Sequence, residues 1–235
     1  MPFPDTRTAW GADTEAPGLL AAGADLSPTT LRAAYSEAVF PWFSEGQPIL
    51  WWSPDPRMVL RVQDFRLHRS LRKTLQAFVR TPGCTVRIDT AFPQVIRACA
   101  ESSPHGQAGT WIVDDMVAAY TALHAMGLAH SVETWCQGTL VGGLYCVALG
   151  HAVFGESMFM RQTDASKIAL AALVAFCRQA DISMVDCQQN TAHLASLGAR
   201  EMPRADFVQH VRQARQALAP RWEFSPLYWS ELLSA

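Results

Sequence analysis

The stretch HSVETWCQGTLVGGLYCVALGHAVF, residues 130–154, decides the fold. It reads as three strand segments, His130–Cys136, Leu140–Ala148 and His151–Phe154, rich in apolar and β-branched side chains. Gln137-Gly138 between the first two is a turn, so the strands form an antiparallel meander. Asp164–Gln179 then reads as a helix, with Leu170, Leu173 and Cys177 at helical spacing, and Met184–Gln188 as a strand. A meander followed by helix and strand indicates a mixed α/β (α+β) layer fold.

Working outward, Thr191–Leu197 and Arg204–Leu218 read as closing helices. On the other side lie a helix Val113–Met126 closed by Gly127, a Ser/Pro/Gly loop at 101–110, and a helix from Asp89 or Thr90 to Ala100. Before these come a strand Cys84–Ile88 and a basic helix Ser70–Arg80 ended by Thr81-Pro82-Gly83. Met58–Val62 is a short strand, and Ser27-Pro28 supplies N-cap and first turn of a helix reaching Val39. A small N-terminal domain is expected over residues 1–62 and a larger one over 63–235.

Residues 40–57, FPWFSEGQPILWWSPDPR, carry five aromatic rings and four prolines. Proline fixes φ and removes a donor, so neither a regular helix nor a central strand is expected there. Flat rings on a fixed loop suit a planar ligand such as a nucleobase. The competing reading makes Trp42, Trp51 and Trp52 core anchors.

With 49% hydrophobic and 17% charged residues the chain builds a buried core and is no disordered protein. A net charge of −2 excludes a general polycation. Yet Arg57 to Arg87 holds eight basic residues against one acidic residue, Asp64. That run is either a local phosphate-binding patch or a solvated helix face. The six cysteines include no C-x-x-C pair and no zinc-finger spacing with His. The start MPFPDTRTAW is no secretory signal, and no apolar run reaches the ~18 residues of a membrane span. A cytoplasmic protein with reduced thiols and no membrane partner is expected.

Two segments hold chemistry. On a strand Asp186 and Gln188 share a face and Cys187 points away, so an acid and an amide emerge side by side. A structural hydrogen-bonded pair closing the strand competes with a catalytic one. If Gly155–Met160 stays extended, Glu156, Met158 and Met160 line one face, a carboxylate at the rim of an adaptable apolar pocket or plain core with a surface Glu. No phosphate loop of the G-x-x-x-x-G-K type, no G-x-S-x-G and no H-E-x-x-H is present.

FPWF followed by ILWWSPDPR resembles the N-terminal signature of the leucyl/phenylalanyl-tRNA–protein transferases. The segments GLLAAGADLSP (18–28), Thr110-Trp111-Ile112, Gly155–Phe159 and Asp186-Cys187-Gln188 match that family in order. The resemblance implies a GNAT-like (acetyltransferase-like) C-terminal domain. It implies transfer of Leu, Phe or Met from aminoacyl-tRNA to proteins beginning with Arg or Lys, marking them for proteolysis, without cofactor or metal. By motif position Asp186, Gln188 and Glu156 would be catalytic. Trp42 and Trp111 would meet the 3′-terminal adenosine. Leu144, Met158, Leu170, Leu173 and Val185 would shape the donor side-chain pocket, and Arg66, Arg69, Arg72, Lys73 and Arg80 would meet the acceptor stem. A monomer is expected.

The chain departs from the family pattern in Glu37-Ala38, where Arg-Gly is common, in Cys146 for a usual Gly, and in Met160 for a usual Ser. Two other readings compete: a GNAT-fold acyltransferase with another donor, such as acetyl-coenzyme A, and a non-catalytic binding module for tRNA ends or basic peptides. Against the former, GNAT enzymes using acetyl-coenzyme A carry an R/Q-x-x-G-x-G/A loop. Here Arg161-Gln-Thr-Asp164 stands at that place, and an acid there repels phosphate from the helix start.

Overall fold

Gln137 (φ 52°) and Gly138 (φ 76°) both take left-handed backbone, as a two-residue hairpin turn requires. The turn joins β6 (Ala129–Cys136) to β7 (Thr139–Leu149) in a computed structural model that describes residues 3–102 and 112–234.

Before the hairpin the chain forms β1 (Leu19–Ala22), α1 (Pro28–Ser36), β2 (Phe40–Pro41), β3 (Leu50–Trp52) and β4 (Arg57–Arg61). Then follow α2 (Arg69–Arg80), β5 (Cys84–Ile88), α3 (Phe92–Glu101) and α4 (Asp114–Ala125). After it come β8 (Ala152–Met160), α5 (Ala165–Gln179), β9 (Met184–Gln188), α6 (Ala192–Ser196), β10 (Arg200–Met202), α7 (Arg204–Ala214) and α8 (Ser230–Leu233).

Seven strands form one sheet in the order β10-β4-β9-β8-β7-β6-β5. Every neighbouring pair is antiparallel except β8 and β9, which α5 joins as a parallel crossover. This is the mixed α/β layout expected. The β8–β9 pairing covers only Val153–Val185 and Phe154–Asp186. Beyond that point the two strand ends no longer pair with each other, and Glu156 and Gln188 lie on those ends.

Two apolar clusters cover the faces of the sheet. One gathers α1, α3, α4 and α7 with Tyr145, Phe154 and Phe159 of the sheet. The other gathers α2, α5 and α8 with Leu144, Val153 and Val185. Helix α5 is apolar almost all round, and Ala165 to Cys177 is buried apart from Lys167. Gly142 lets α5 start against β7: a Cβ there would lie 2.5 Å from that of Ala165.

Four differences from the sequence reading have physical causes. Leu50–Trp52 is the middle strand of a three-stranded sheet, order β1-β3-β2, where no central strand is expected. Pro48 and Pro54 fall just outside it and Pro41 sits on an edge strand, so no ladder donor is lost. The strand expected at 58–62 is hydrogen-bonded on both sides within the large sheet, so strand pairing of the small sheet ends at Trp52, ahead of residue 62. Helix α3 begins at Phe92 because Asp89 (φ 60°) and Thr90 instead hydrogen-bond to β6, Asp89 to the Ser131 amide and Thr90 to Glu133. Cys84 and Cys136, opposite each other in the β5–β6 register with Cα atoms 4.1 Å apart, form a disulfide, which corrects the expectation of reduced thiols throughout. Cys99, Cys146, Cys177 and Cys187 are free.

Candidate active site

The register of β7 and β8 slips by one residue: Tyr145 faces Ser157 while Cys146 faces Gly155, leaving Glu156 as the extra residue of a bulge. The slip corrects the expectation that Glu156, Met158 and Met160 share a face. Glu156 turns toward the α1–α4 side, and Met158 packs with the cluster on the α5 side. A second slip, in β9 against β4, makes Cys187 the extra residue, and Gln188 ends the strand at φ 61°. A non-glycine residue holds such backbone only under restraint.

The carboxylate of Glu156 collects three donors. Its Oε1 accepts from the Tyr35 hydroxyl at 2.7 Å and from Gln188 Nε2 at 3.2 Å, and its Oε2 accepts from Tyr120 at 3.3 Å. The Tyr35 and Tyr120 hydroxyls are 2.5 Å apart. Burial raises the Glu156 carboxyl from 4.5 to about 7, the negative charge of Asp186 adds to the rise, and the donors oppose it. Burial also holds both tyrosines well above their usual range, so both are proton donors at neutral pH.

Asp186 is fully buried and grips Arg57. Arg57 Nε donates to Oδ1 at 2.8 Å and Nη2 to Oδ2 at 2.6 Å. The Gln188 amide also donates to Oδ1, at 2.9 Å. Arg57 therefore leaves the basic patch to which its sequence position assigned it: its side chain is 0% exposed, between the rings of Phe40 and Phe207. Arg57, Tyr35 and Tyr120 are the residues that sequence reasoning missed. A clue existed for Arg57, since Asp186 interrupts an apolar strand and a buried charge needs a partner.

Leu144, Leu170, Leu173 and Val185 are buried in one cluster, with Met158 packed against it and partly exposed. Leu144 and Met158 are partners across β7 and β8. Trp42 is 38% exposed and lies 5.6 Å from the Trp52 ring, whose Nε1 donates to the Trp42 carbonyl. Trp51 is instead a core anchor, donating to the Gly23 carbonyl. Trp111 lies outside the described residues. Helix α2 buries Leu71, Leu75 and Phe78 and turns Arg69, Lys73 and Arg80 outward; Arg72 is half-buried, and Arg66 is exposed just before the helix.

The departures are also placed. Glu37 pairs with Arg212 at 2.8 Å and with Arg215 at 3.2 Å, and Ala38 takes φ 62°. Cys146 is buried, and Met160 is exposed. Among the described residues no group of three or more His, Cys, Asp or Glu is disposed to hold a metal. No helix among them is long and apolar enough to cross a membrane.

Comparison with known proteins defines the class. A family model described as leucyl/phenylalanyl-tRNA protein transferase matches residues 59–212, and a model of that protein's N-terminal domain matches residues 24–55. These matches make the chain an aminoacyltransferase. A leucyl/phenylalanyl-tRNA–protein transferase from Polaromonas sp. is 63% identical over 99% of this chain and 91% of its own. One from Albidiferax ferrireducens is 60% identical over the same shares. A solved GCN5-related N-acetyltransferase from Kribbella flavida is 10% identical, covering 73% of this chain and 60% of its own, with a TM-score of 0.37. The chain belongs to the leucyl/phenylalanyl-tRNA–protein transferase family.

Proposed function

We propose that this protein moves Leu, Phe or Met from aminoacyl-tRNA to the α-amine of proteins beginning with Arg or Lys, and that Gln188, Glu156 and Asp186 form its centre. One observation carries the reading. Gln188 gives its Nε2 to Glu156, and among the described residues its Oε1 has no partner. An acceptor oxygen left without a partner supports the reading, because an incoming amine needs an acceptor there.

An aminoacyl ester is already activated, so no enzyme nucleophile is needed. The α-amine, with an ordinary pKa near ~8, is partly neutral at pH 7. The amine nitrogen bonds to the ester carbon, the bond to the ribose oxygen breaks, and the amine's proton ends on that oxygen. The enzyme aligns the partners and stabilises developing charge. Gln188 is the aligning group. Glu156, with its carboxyl near 7, passes a proton readily in this range and, when ionised, meets the acceptor's cationic end. Asp186 holds the Gln188 backbone.

The five apolar residues on the α5 side would receive an unbranched-at-Cβ side chain. Selection on bulk alone is worth ~1–3 kcal/mol. Trp42 offers a ring to the terminal adenosine, and the outward face of α2 meets phosphates without reading sequence. A reaction that consumes charged tRNA belongs in the cytoplasm. Against an acyl-coenzyme A donor, Asp164 stands at the N-cap position of α5 without a capping bond and holds Lys167 at 2.7 Å, which keeps a carboxylate at the helix start where a pyrophosphate would need to bind.

The test is transfer of radiolabel from Leu-tRNA to a peptide beginning with Arg, with an Ala-initial peptide as control. Label on the Arg peptide alone is expected. No label on either, with folded enzyme and intact charged tRNA, would overturn the reading.

A further inference from the structure

We infer that Arg57 is a positioning residue for the transfer reaction, acting on Gln188 through Asp186, and that Asp186 serves as a tie and not as a proton acceptor. The inference rests on the reading of Gln188 as the aligning group. Its own support is a chain of contacts in which each link is fixed by the one before.

The first link is the seating of the guanidinium. Its carbon lies 4.8 Å from the ring centre of Phe40 and 4.8 Å from that of Phe207. Phe40 belongs to the small sheet and Phe207 to α7, so two separate parts of the fold clamp one cation. Nη1 donates to the Ala38 carbonyl at 3.2 Å, closing the side away from Asp186. A planar cation between rings with three nitrogens engaged has one orientation.

That orientation sets the carboxylate. Nε and Nη2 hold both Asp186 oxygens in a two-pronged pair, and neither side chain is exposed. A carboxylate so engaged is poorly placed to take a proton from an amine. Oδ1 has one more partner, the Gln188 amide at 2.9 Å. This bond spans the extra residue Cys187 and holds Gln188 in its left-handed conformation. The left-handed turn aims the Gln188 side chain across the seam to Glu156. Loosening Arg57 therefore releases Gln188 without touching any group that meets substrate.

The experiment is a double-mutant cycle on the full chain, read as kcat and as KM for Leu-tRNA and for an Arg-initial peptide. Arg57→Lys keeps the charge and loses the fork. It should lower kcat by about 10- to 100-fold, the scale of a small misplacement at a reacting centre, with both KM values within about twofold. Gln188→Ala should lower kcat by about 100-fold or more. In the Gln188→Ala background, Arg57→Lys should cost almost nothing further, because its effect passes through the missing side chain. Additive losses would overturn the inference and leave the reading of Gln188 standing. Unchanged kcat in Gln188→Ala alone would overturn that reading instead. If Arg57→Lys does not fold, Phe207→Leu takes its place: it removes one clamping ring, leaves the ion pair, and should lower kcat about threefold to tenfold, again only with Gln188 present. A loss that persists without Gln188 would overturn the inference by this route also.

Discussion

Replacing Glu156 with Gln tests the electrostatics of the centre without the reaction. The carboxyl is raised from 4.5 to about 7, first by burial and then by the charge of Asp186. The folded state therefore holds a proton that the unfolded state has released over that range. Stability from this group is fully present below pH 4.5 and is lost as pH rises through about 7. Moving from 4.5 to about 7 at 1.36 kcal/mol per pH unit is worth about 3 kcal/mol. Glu156→Gln keeps the shape and an acceptor oxygen for Tyr35 and Gln188, and it cannot ionise. Urea unfolding of both proteins at a series of pH values measures the difference. The variant should gain on the parent by about 3 kcal/mol between pH 4.5 and pH 8, with equal slopes against urea. A constant difference across that range would refute the argument, since it would mean that Glu156 ionises in the folded protein as it does in water.

The remaining predictions address each substrate contact and the packing. Trp42→Ala should raise KM for aminoacyl-tRNA by the worth of one stacked base, about 1–3 kcal/mol, and leave single-turnover chemistry nearly unchanged; unaltered affinity would remove the stacking role. Reversing Arg69, Lys73 and Arg80 to Glu together should flatten the salt dependence of tRNA use, because fewer counterions are released, and an unchanged slope would make that face of α2 merely solvated. The KM for an Arg-initial peptide should fall as pH rises through about 7, where Glu156 gains its charge, and a flat KM over that range would separate Glu156 from the acceptor's cation. Gly142→Ala should destabilise by about 1–3 kcal/mol on thermal or urea unfolding, because its Cβ would meet Ala165 at 2.5 Å; a neutral result would show that α5 shifts freely on β7.

Some elements set by periodicity were legible nearly residue by residue, while others, such as the strand Ala152–Met160 and the helix Arg204–Ala214, differ by several residues at one end. The strand Met184–Gln188 and the strand Cys84–Ile88 fall where the alternation puts them, and α2 differs by a single residue at its start. The small sheet was not legible, because strands of two to four residues are too short to show a period. The residues singled out by their motifs lie near one another in space: Gln188 hydrogen-bonds to both Asp186 and Glu156. Their directions were not. An alternation argument assigns faces by counting in twos, and one extra residue reverses every later assignment. Both segments with chemistry contain that extra residue, Glu156 in β8 and Cys187 in β9.

The coincidence has a physical basis. A regular strand would leave Glu156 and Gln188 each pointing where the sheet's period sends it, into a face already filled by core. A bulge detaches one side chain from that period and lets it be aimed. Aiming has a cost, seen in the left-handed backbone of Gln188, and something rigid must hold the result. The rigid part is the Arg57–Asp186 pair, whose members lie 129 residues apart in the chain. No local pattern in a sequence joins two such positions. What the sequence does show is an acid within the apolar strand Met184–Gln188 and arginines at the two ends of Arg57–Arg61, and the expense of burying such a charge alone is the reason to look for its partner.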